Sequence, residues 1–203
     1  MWYDRRAFQR RAIGALLRRK EEKKMQLVVQ MIGIIAMAFS ILSYQGKSSR
    51  RIMLMQMAGT LLFTVHMGML GAATGAVMNL LGMLRALVYA YKEKTHADSV
   101  GWVVGFEAAY IVYYALLFAC FGVLPTPGNL LLNLLPVIGM TAMTIAYYVG
   151  SARAIRMLGL ISSPVWLVYN WINGSVGGVL CECITLASII VGLLRYRGQR
   201  EPE

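Results

Sequence analysis

Two glycine-rich stretches decide the fold of this chain. Residues 66–79 read HMGMLGAATGAVMN, and residues 169–182 read YNWINGSVGGVLCE. A shift of 103 residues superimposes their turn glycines and also the residues of a basic loop upstream: Gly71 on Gly174, Gly75 on Gly178, Tyr44 on Tyr147, Ser48 on Ser151 and Arg50 on Arg153. No gap is needed, so the second half of the chain repeats the first.

Composition places the repeat in a membrane. The chain has 203 residues, of which 58% are hydrophobic and 14% are charged, whereas soluble domains carry roughly 25% charged residues. A transmembrane helix needs about 20 apolar residues, and two continuous apolar runs are divided at the glycine turns because each is about twice that length. Seven spans are predicted, at residues 26–45, 52–71, 72–91, 102–122, 129–149, 155–172 and 174–195.

The order of these spans predicts the architecture. Three spans in each half are separated by one further span, so both halves cross the membrane in the same direction, as in small transporters with parallel repeats. The predicted fold is an all-α membrane protein of seven transmembrane helices. Two parallel triple-helix bundles, residues 26–91 and 129–197, are joined by a linker helix at residues 102–122.

Basic residues between the spans predict the orientation. The second, fourth and sixth loops carry no Lys or Arg, whereas the other loops and the C-terminus carry Lys47, Arg50, Arg51, Lys92, Lys94, Arg153, Arg156, Arg195, Arg197 and Arg200. The positive-inside rule then places the C-terminus in the cytoplasm and the N-terminus outside. The net charge of +11 is thereby a topology signal, and we expect no nucleic-acid partner.

The basic segment 1–24 opposes this orientation, because it holds nine Lys and Arg residues. Three explanations remain open. The natural start is Met25, directly before the first span; or residues 2–20 form an amphipathic helix on a lipid surface; or the tail inverts the protein. In the second case Trp2, Phe8, Ile13 and Leu17 form the apolar side.

Asn79 and Glu182 are the leading candidates for a solute site. They occupy the same repeat position and lie about 11–12 Å below the outer surface at 1.5 Å per residue. Polar groups at that depth are costly unless they are satisfied or functional. An amide and a carboxylate facing a central cavity bind a polar or cationic solute, and Glu182 can also exchange a proton. The alternative is that both stabilise helix–helix contacts.

Four further residues complete the candidate substrate site. His66 and Asn170 lie near the outer ends of the second helix of each repeat, where they suit either a cavity mouth or the membrane interface. Trp166 suits an aromatic wall or plain packing, and Tyr44 ends the first span. A separate ion pair is predicted between Arg85 and Glu107, which lie at similar depth; the alternative is that each reaches the interface separately.

Several classes of protein are disfavoured. Cys120, Cys181 and Cys183 fall within spans without metal-type spacing, so we expect no metal and no cofactor. No Ser/His/Asp set, Cys/His dyad or usefully spaced carboxylate pair occurs, so we expect no catalytic residues and no enzyme. The expected partners are the lipid bilayer and a small polar solute, with the oligomeric state open.

Two families resemble this chain. Three plus one plus three helices in a parallel repeat is similar to SWEET sugar carriers and PQ-loop proteins, although Ser43-Tyr44-Gln45 lacks the proline of the proline–glutamine pair. The closer resemblance, over about residues 26–197, is to the bacterial inner-membrane family YgjV. The residues that carry it are Ser43-Tyr44-Gln45, His66, Leu70-Gly71, Arg85, Asn173-Gly174-Ser175-Val176-Gly177-Gly178, Glu182 and Leu194-Arg195-Tyr196.

These resemblances imply a multi-pass protein of the bacterial inner membrane. In SWEET carriers a pair of substrate-binding asparagines stands where this chain has Asn79 and Glu182. The resulting hypothesis is a SWEET-like carrier that moves a small polar solute by alternating access through a central pocket. The alternative is a non-transporting receptor or assembly protein of the same fold.

Overall fold

The computed structural model describes the backbone of residues 5–43 and 49–195, and the side chains of residues 18–42, 53–151 and 153–191. Regular structure in these ranges is helical throughout, with no strand. The helices are α1 (Arg5–Ser43), α2 (Ser49–Met69), α3 (Ala73–Ala90), α4 (Lys92–Thr95), α5 (Val100–Ala119), α6 (Pro127–Val149), α7 (Ala152–Ile172) and α8 (Val176–Arg195).

Each of the seven predicted spans coincides with a long helix, whereas α4 is a single additional turn. Long helices suit hydrocarbon because they satisfy their backbone hydrogen bonds internally. Four described segments are long and apolar enough to cross a membrane: Arg18–Leu42, Ala73–Ala90, Val100–Ala119 and Pro127–Val149. The apolar parts of α2 and α8, Met53–Met69 and Val176–Val191, are shorter.

No break in α1 separates the basic tail from the first apolar segment, because the helix is continuous from Arg5 to Ser43. The side chains proposed for an amphipathic tail helix, those of Trp2, Phe8, Ile13 and Leu17, lie outside the described residues. Among the tail residues whose side chains are described, Lys24 pairs with Glu21 at 2.8 Å.

Six of the long helices contact one another in a closed cycle. α1 packs on α2, α2 on α3, α3 on α6, α6 on α7, α7 on α8, and α8 returns to α1. α5 lies beside this cycle, against α6 and α3. We call α1–α3 the first half and α6–α8 the second half; they meet along two seams, α1–α8 and α3–α6.

The third helix of each half follows a turn that needs glycine. Gly71 has φ of +76° and Gly174 has φ of +68°, a left-handed conformation that a side chain disfavours. The two residues are equivalent in the repeat, so the same tight turn leads into α3 and into α8. These turns place the beginnings of α3 and α8 beside the ends of α2 and α7.

The α1–α8 seam is tightest at a pair of glycines. A β-carbon built on Gly177 would collide with the backbone of Gly33, and one built on Gly33 would collide with the ring of His66. Backbone atoms cannot yield cheaply, so this crossing requires glycine at position 177. The repeat equivalents of Gly177 and Gly33 are Thr74 and Pro136, so the α3–α6 seam cannot form the same crossing of two glycines.

We predict that Gly177→Ala lowers the free energy of unfolding by about 1–3 kcal/mol, because the added methyl group overpacks the α1–α8 seam. Thermal unfolding of the purified protein in detergent measures the effect. Gly105→Ala in α5 is the matched control, since a β-carbon there meets nothing within 4 Å. Equal stability of the two variants would contradict the close crossing.

Candidate functional site

The beginning of α8 is held by a hydrogen-bonded chain that starts in the first half. The backbone N–H of Gly178 donates to Ser175 Oγ at 3.1 Å, and Ser175 Oγ lies 2.8 Å from His66 Nε2. His66 Nδ1 lies 2.8 Å from the carbonyl oxygen of Val29 on α1. A carbonyl can only accept, so Nδ1 carries a proton; in the neutral ring, Nε2 then accepts from the serine hydroxyl.

The beginning of α3 is held in the same way by the second half. The backbone N–H of Gly75 donates to Tyr169 Oη at 2.8 Å, and Gly75 is the repeat equivalent of Gly178. The N-cap residue of α3 is Ala72, which offers no side-chain cap. The tyrosine hydroxyl therefore replaces the serine hydroxyl, and the N–H groups of Gly75 and Gly178, in the first turns of α3 and α8, both have acceptors.

The first helix of each half adds a second contact of the same kind. Gln30 on α1 donates to the carbonyl oxygen of Gly174 at 3.0 Å and accepts from the N–H of Val176 at 3.2 Å. Its repeat equivalent, Asn133 on α6, accepts from the Thr74 hydroxyl at 2.6 Å. Each half therefore forms hydrogen bonds with the start of the third helix of the other half.

We call these reciprocal contacts the clasp, and the end of the bundle that holds them the clasp end. Its side chains are Gln30, His66, Thr74, Asn133, Tyr169 and Ser175. The center of the clasp is dry, since His66 and Ser175 are 0% exposed and Tyr169 is 2% exposed. The bundle is therefore closed at this end.

Asn79 and Glu182 lie one helical turn deeper than Gly75 and Gly178. Asn79 Nδ2 donates to the Gly75 carbonyl oxygen at 2.8 Å, and the Glu182 carboxyl group lies near the hydroxyl of Ser163 on α7. Both side chains are partly buried. Among the described residues, no hydrogen bond joins them to each other, and the neighbours named here belong to each residue's own half.

Asn170 and Trp166 join the clasp from α7. A β-carbon built on Gly178 would collide with the Asn170 amide, whose Oδ1 is buried without a hydrogen-bond partner in the described structure. Trp166 packs edge-on against Tyr169, with ring centroids 5.7 Å apart. Of the predicted site residues, His66, Asn170 and Trp166 are thus gathered around the clasp, and Tyr44 lies outside the described residues.

The ion pair predicted between Arg85 and Glu107 is not present. Arg85 Nη1 instead donates to the Met140 carbonyl oxygen at 2.9 Å and to Thr144 Oγ1 at 3.2 Å. Glu107 Oε2 accepts from Thr141 Oγ1 at 2.5 Å. The physical reason is that both charged groups pack on α6, whose own polar groups bind each of them separately.

The far ends of α3 and α6 hold a second polar cluster that sequence reasoning missed. Tyr147 donates to the Gln56 side chain of α2, and Tyr110 lies 3.1 Å from Thr144. Tyr89 is buried, and its hydroxyl has no partner within the described residues. The sequence signal for this cluster was that Tyr147 is the repeat equivalent of Tyr44. We call this end, which carries Lys92 and Lys94, the charged end.

The chain matches the model of one protein family over most of its length. The model of Imp-YgjV, described as a bacterial inner membrane protein, matches residues 27–200. The chain belongs to the Imp-YgjV family. The match includes both halves of the bundle and α5, and it confirms the family predicted from the sequence. No curated protein and no solved structure matches this Imp-YgjV family member.

We predict that Tyr169→Phe lowers the free energy of unfolding by about 1–3 kcal/mol, because the Gly75 N–H is left buried without a partner. Thermal unfolding in detergent measures this loss. The control is Tyr148→Phe, which removes a hydroxyl from a ring whose face lies 6.0 Å from Lys92 Nζ. If both variants were as stable as the wild-type protein, the clasp contact at Tyr169 would be refuted.

Proposed function

We propose that this Imp-YgjV family member is a SWEET-like carrier that moves a small polar solute by alternating access. In this proposal seven helices cross the inner membrane as two parallel three-helix halves joined by α5. The basic charged end faces the cytoplasm and the N-terminus faces outward. Its partners are the bilayer and the solute, without nucleic acid, cofactor or catalytic chemistry.

One observation carries the proposal, namely the reciprocal clasp between the two halves. Two equivalent halves that hold each other at one end through replaceable contacts can rock against each other and expose a site between them to either side. The clasp uses hydrogen bonds from side chains to helix beginnings, which water can replace when that end opens.

Asn79 and Glu182 are the proposed solute ligands. They lie just below the clasp, and the Asn79 amide oxygen accepts no hydrogen bond from any described residue. An amide oxygen and a carboxylate accept hydrogen bonds from hydroxyl or ammonium groups. The proposed cargo is therefore a small solute with several such donors, and His66, Trp166 and Asn170 would form the roof of its site.

A second candidate is a static receptor or assembly protein of the same fold. It is favoured by the dry clasp and by the separate protein partners of Asn79 and Glu182. It is also favoured by the position of a cavity at the charged end, lined by Tyr89, Lys94 and Tyr147 among others, which neither Asn79 nor Glu182 lines. In that case both residues only stabilise the packing of α3 and α8.

A ligand screen separates the two candidates. The purified protein in detergent is screened by thermal shift against sugars, amino acids, nucleosides, polyamines and vitamins, beside Asn79→Ala and Glu182→Ala. We expect a stabilising solute class whose effect is lost in both variants, because each removes a ligand. That solute should then exchange across proteoliposome membranes containing the wild-type protein.

Leu80→Ala is the matched control, because Leu80 is next to Asn79 in α3 but 41% exposed on its outer face. It should retain the ligand effect. The carrier proposal would be contradicted if no solute stabilised the wild-type protein while both site variants were merely less stable.

A further inference from the structure

A cavity of about 380 Å³ lies at the charged end, where α2 begins and α3 and α6 end. Its lining includes three tyrosines and three charged residues: Tyr89, Tyr91, Lys92, Glu93, Lys94 and Tyr147. Gly75 and Tyr89 are separated by about 21 Å along α3 at 1.5 Å per residue. The cavity is therefore distinct from the solute site proposed below the clasp.

A buried cation lies one helical turn from the cavity wall. Arg85 precedes Tyr89 by one turn of α3 and is 5% exposed. Its guanidinium lies 4.9 Å from the ring centroid of Tyr147, and its Nε has no partner among the described residues. Its hydrogen-bond partners are neutral. A buried charge with neutral partners alone is costly, and a nearby anion would offset that cost.

The cavity lining adds a second cation, Lys94, that is not paired with any carboxylate of the described residues. Lys92 is matched by Asp98 at 2.7 Å, whereas Lys94 forms no ion pair within the described residues and lies 6.0 Å from the ring of Tyr91. Lys92 and Lys94 outnumber the one carboxylate of the lining, that of Glu93. An excess of positive charge at a concave site concentrates anions there.

The tyrosines do not make this a cation site. Ring faces attract cations, but the rings of Tyr147, Tyr91 and Tyr148 already contact Arg85, Lys94 and Lys92 of the chain itself. The end of α6 carries a partial negative charge, and Lys92 Nζ lies 3.4 Å from its Tyr148 carbonyl oxygen. The protein's own cations therefore occupy the features that would attract a foreign one.

We propose that this cavity binds a phosphate group, either of a small soluble phosphate ester or of an anionic phospholipid head group. Lys94 contacts the phosphate directly, and Arg85 stabilises it from behind Tyr147. The volume falls within the range of about 300–1,000 Å³ that is usual for small-molecule sites. The site is independent of transport, so it stands or falls separately from the proposed carrier function.

The test uses the purified full chain in an uncharged detergent, titrated with glycerol phosphate and followed by thermal shift. In parallel, the protein is placed in nanodiscs of phosphatidylcholine with or without phosphatidylglycerol. The variant is Lys94→Gln, which removes an exposed charge. Lys24→Gln is the matched control, because Lys24 is an exposed lysine of α1 that pairs with Glu21.

We expect saturable stabilisation by one of the two probes, weakened about tenfold in Lys94→Gln through loss of a charge-assisted contact and unchanged in Lys24→Gln. Stabilisation by glycerol phosphate assigns the site to a soluble ester. Stabilisation by phosphatidylglycerol alone assigns it to a lipid head group. Absence of both effects, or equal weakening in the two lysine variants, would overturn the proposal.

Discussion

The structure depends on satisfying the first N–H groups of α3 and α8. A helix beginning leaves N–H groups without intrahelical partners, and hydrocarbon offers no water to replace them. Here the acceptor for Gly75 is Tyr169 of the opposite half, and the acceptor for Gly178 is Ser175, which His66 of the opposite half holds. The two halves therefore complete each other's backbone hydrogen bonding, and the closed cycle of helices follows from that exchange.

The two seams differ because the repeat has diverged. The α1–α8 seam is closed by the contact of Gly33 with Gly177. The α3–α6 seam instead contains Arg85, bound to Met140 and Thr144, and the cavity lies at its end. One seam is thus a close backbone crossing, whereas the other is polar and partly open. Such a difference suits a bundle in which one seam acts as a pivot while the other changes shape.

The sequence predicted the helices, the glycine turns and the family, because apolar length and the repeat offset are local signals. The offset also paired His66 with Tyr169. The offset could not show that His66 contacts the second half and Tyr169 the first. A repeat shows which positions are equivalent, but it does not show which side chains are in contact. The similar depth of Arg85 and Glu107 was misleading, because α6 packs against both of their helices and supplies hydrogen-bond partners for both. The Tyr89 hydroxyl, which is buried without a partner among the described residues, was not predicted, because no sequence pattern distinguishes this residue.

The measurement that tests the account most directly is two-sided accessibility of Asn79→Cys, with Cys120, Cys181 and Cys183 replaced by alanine. Membrane vesicles of both orientations are treated with a maleimide that cannot cross the bilayer. If the clasp opens and closes, the new cysteine reacts from both sides, and Tyr169→Phe increases reaction from the clasp end. Reaction from one side only, with or without that substitution, would contradict alternating access and leave a static bundle.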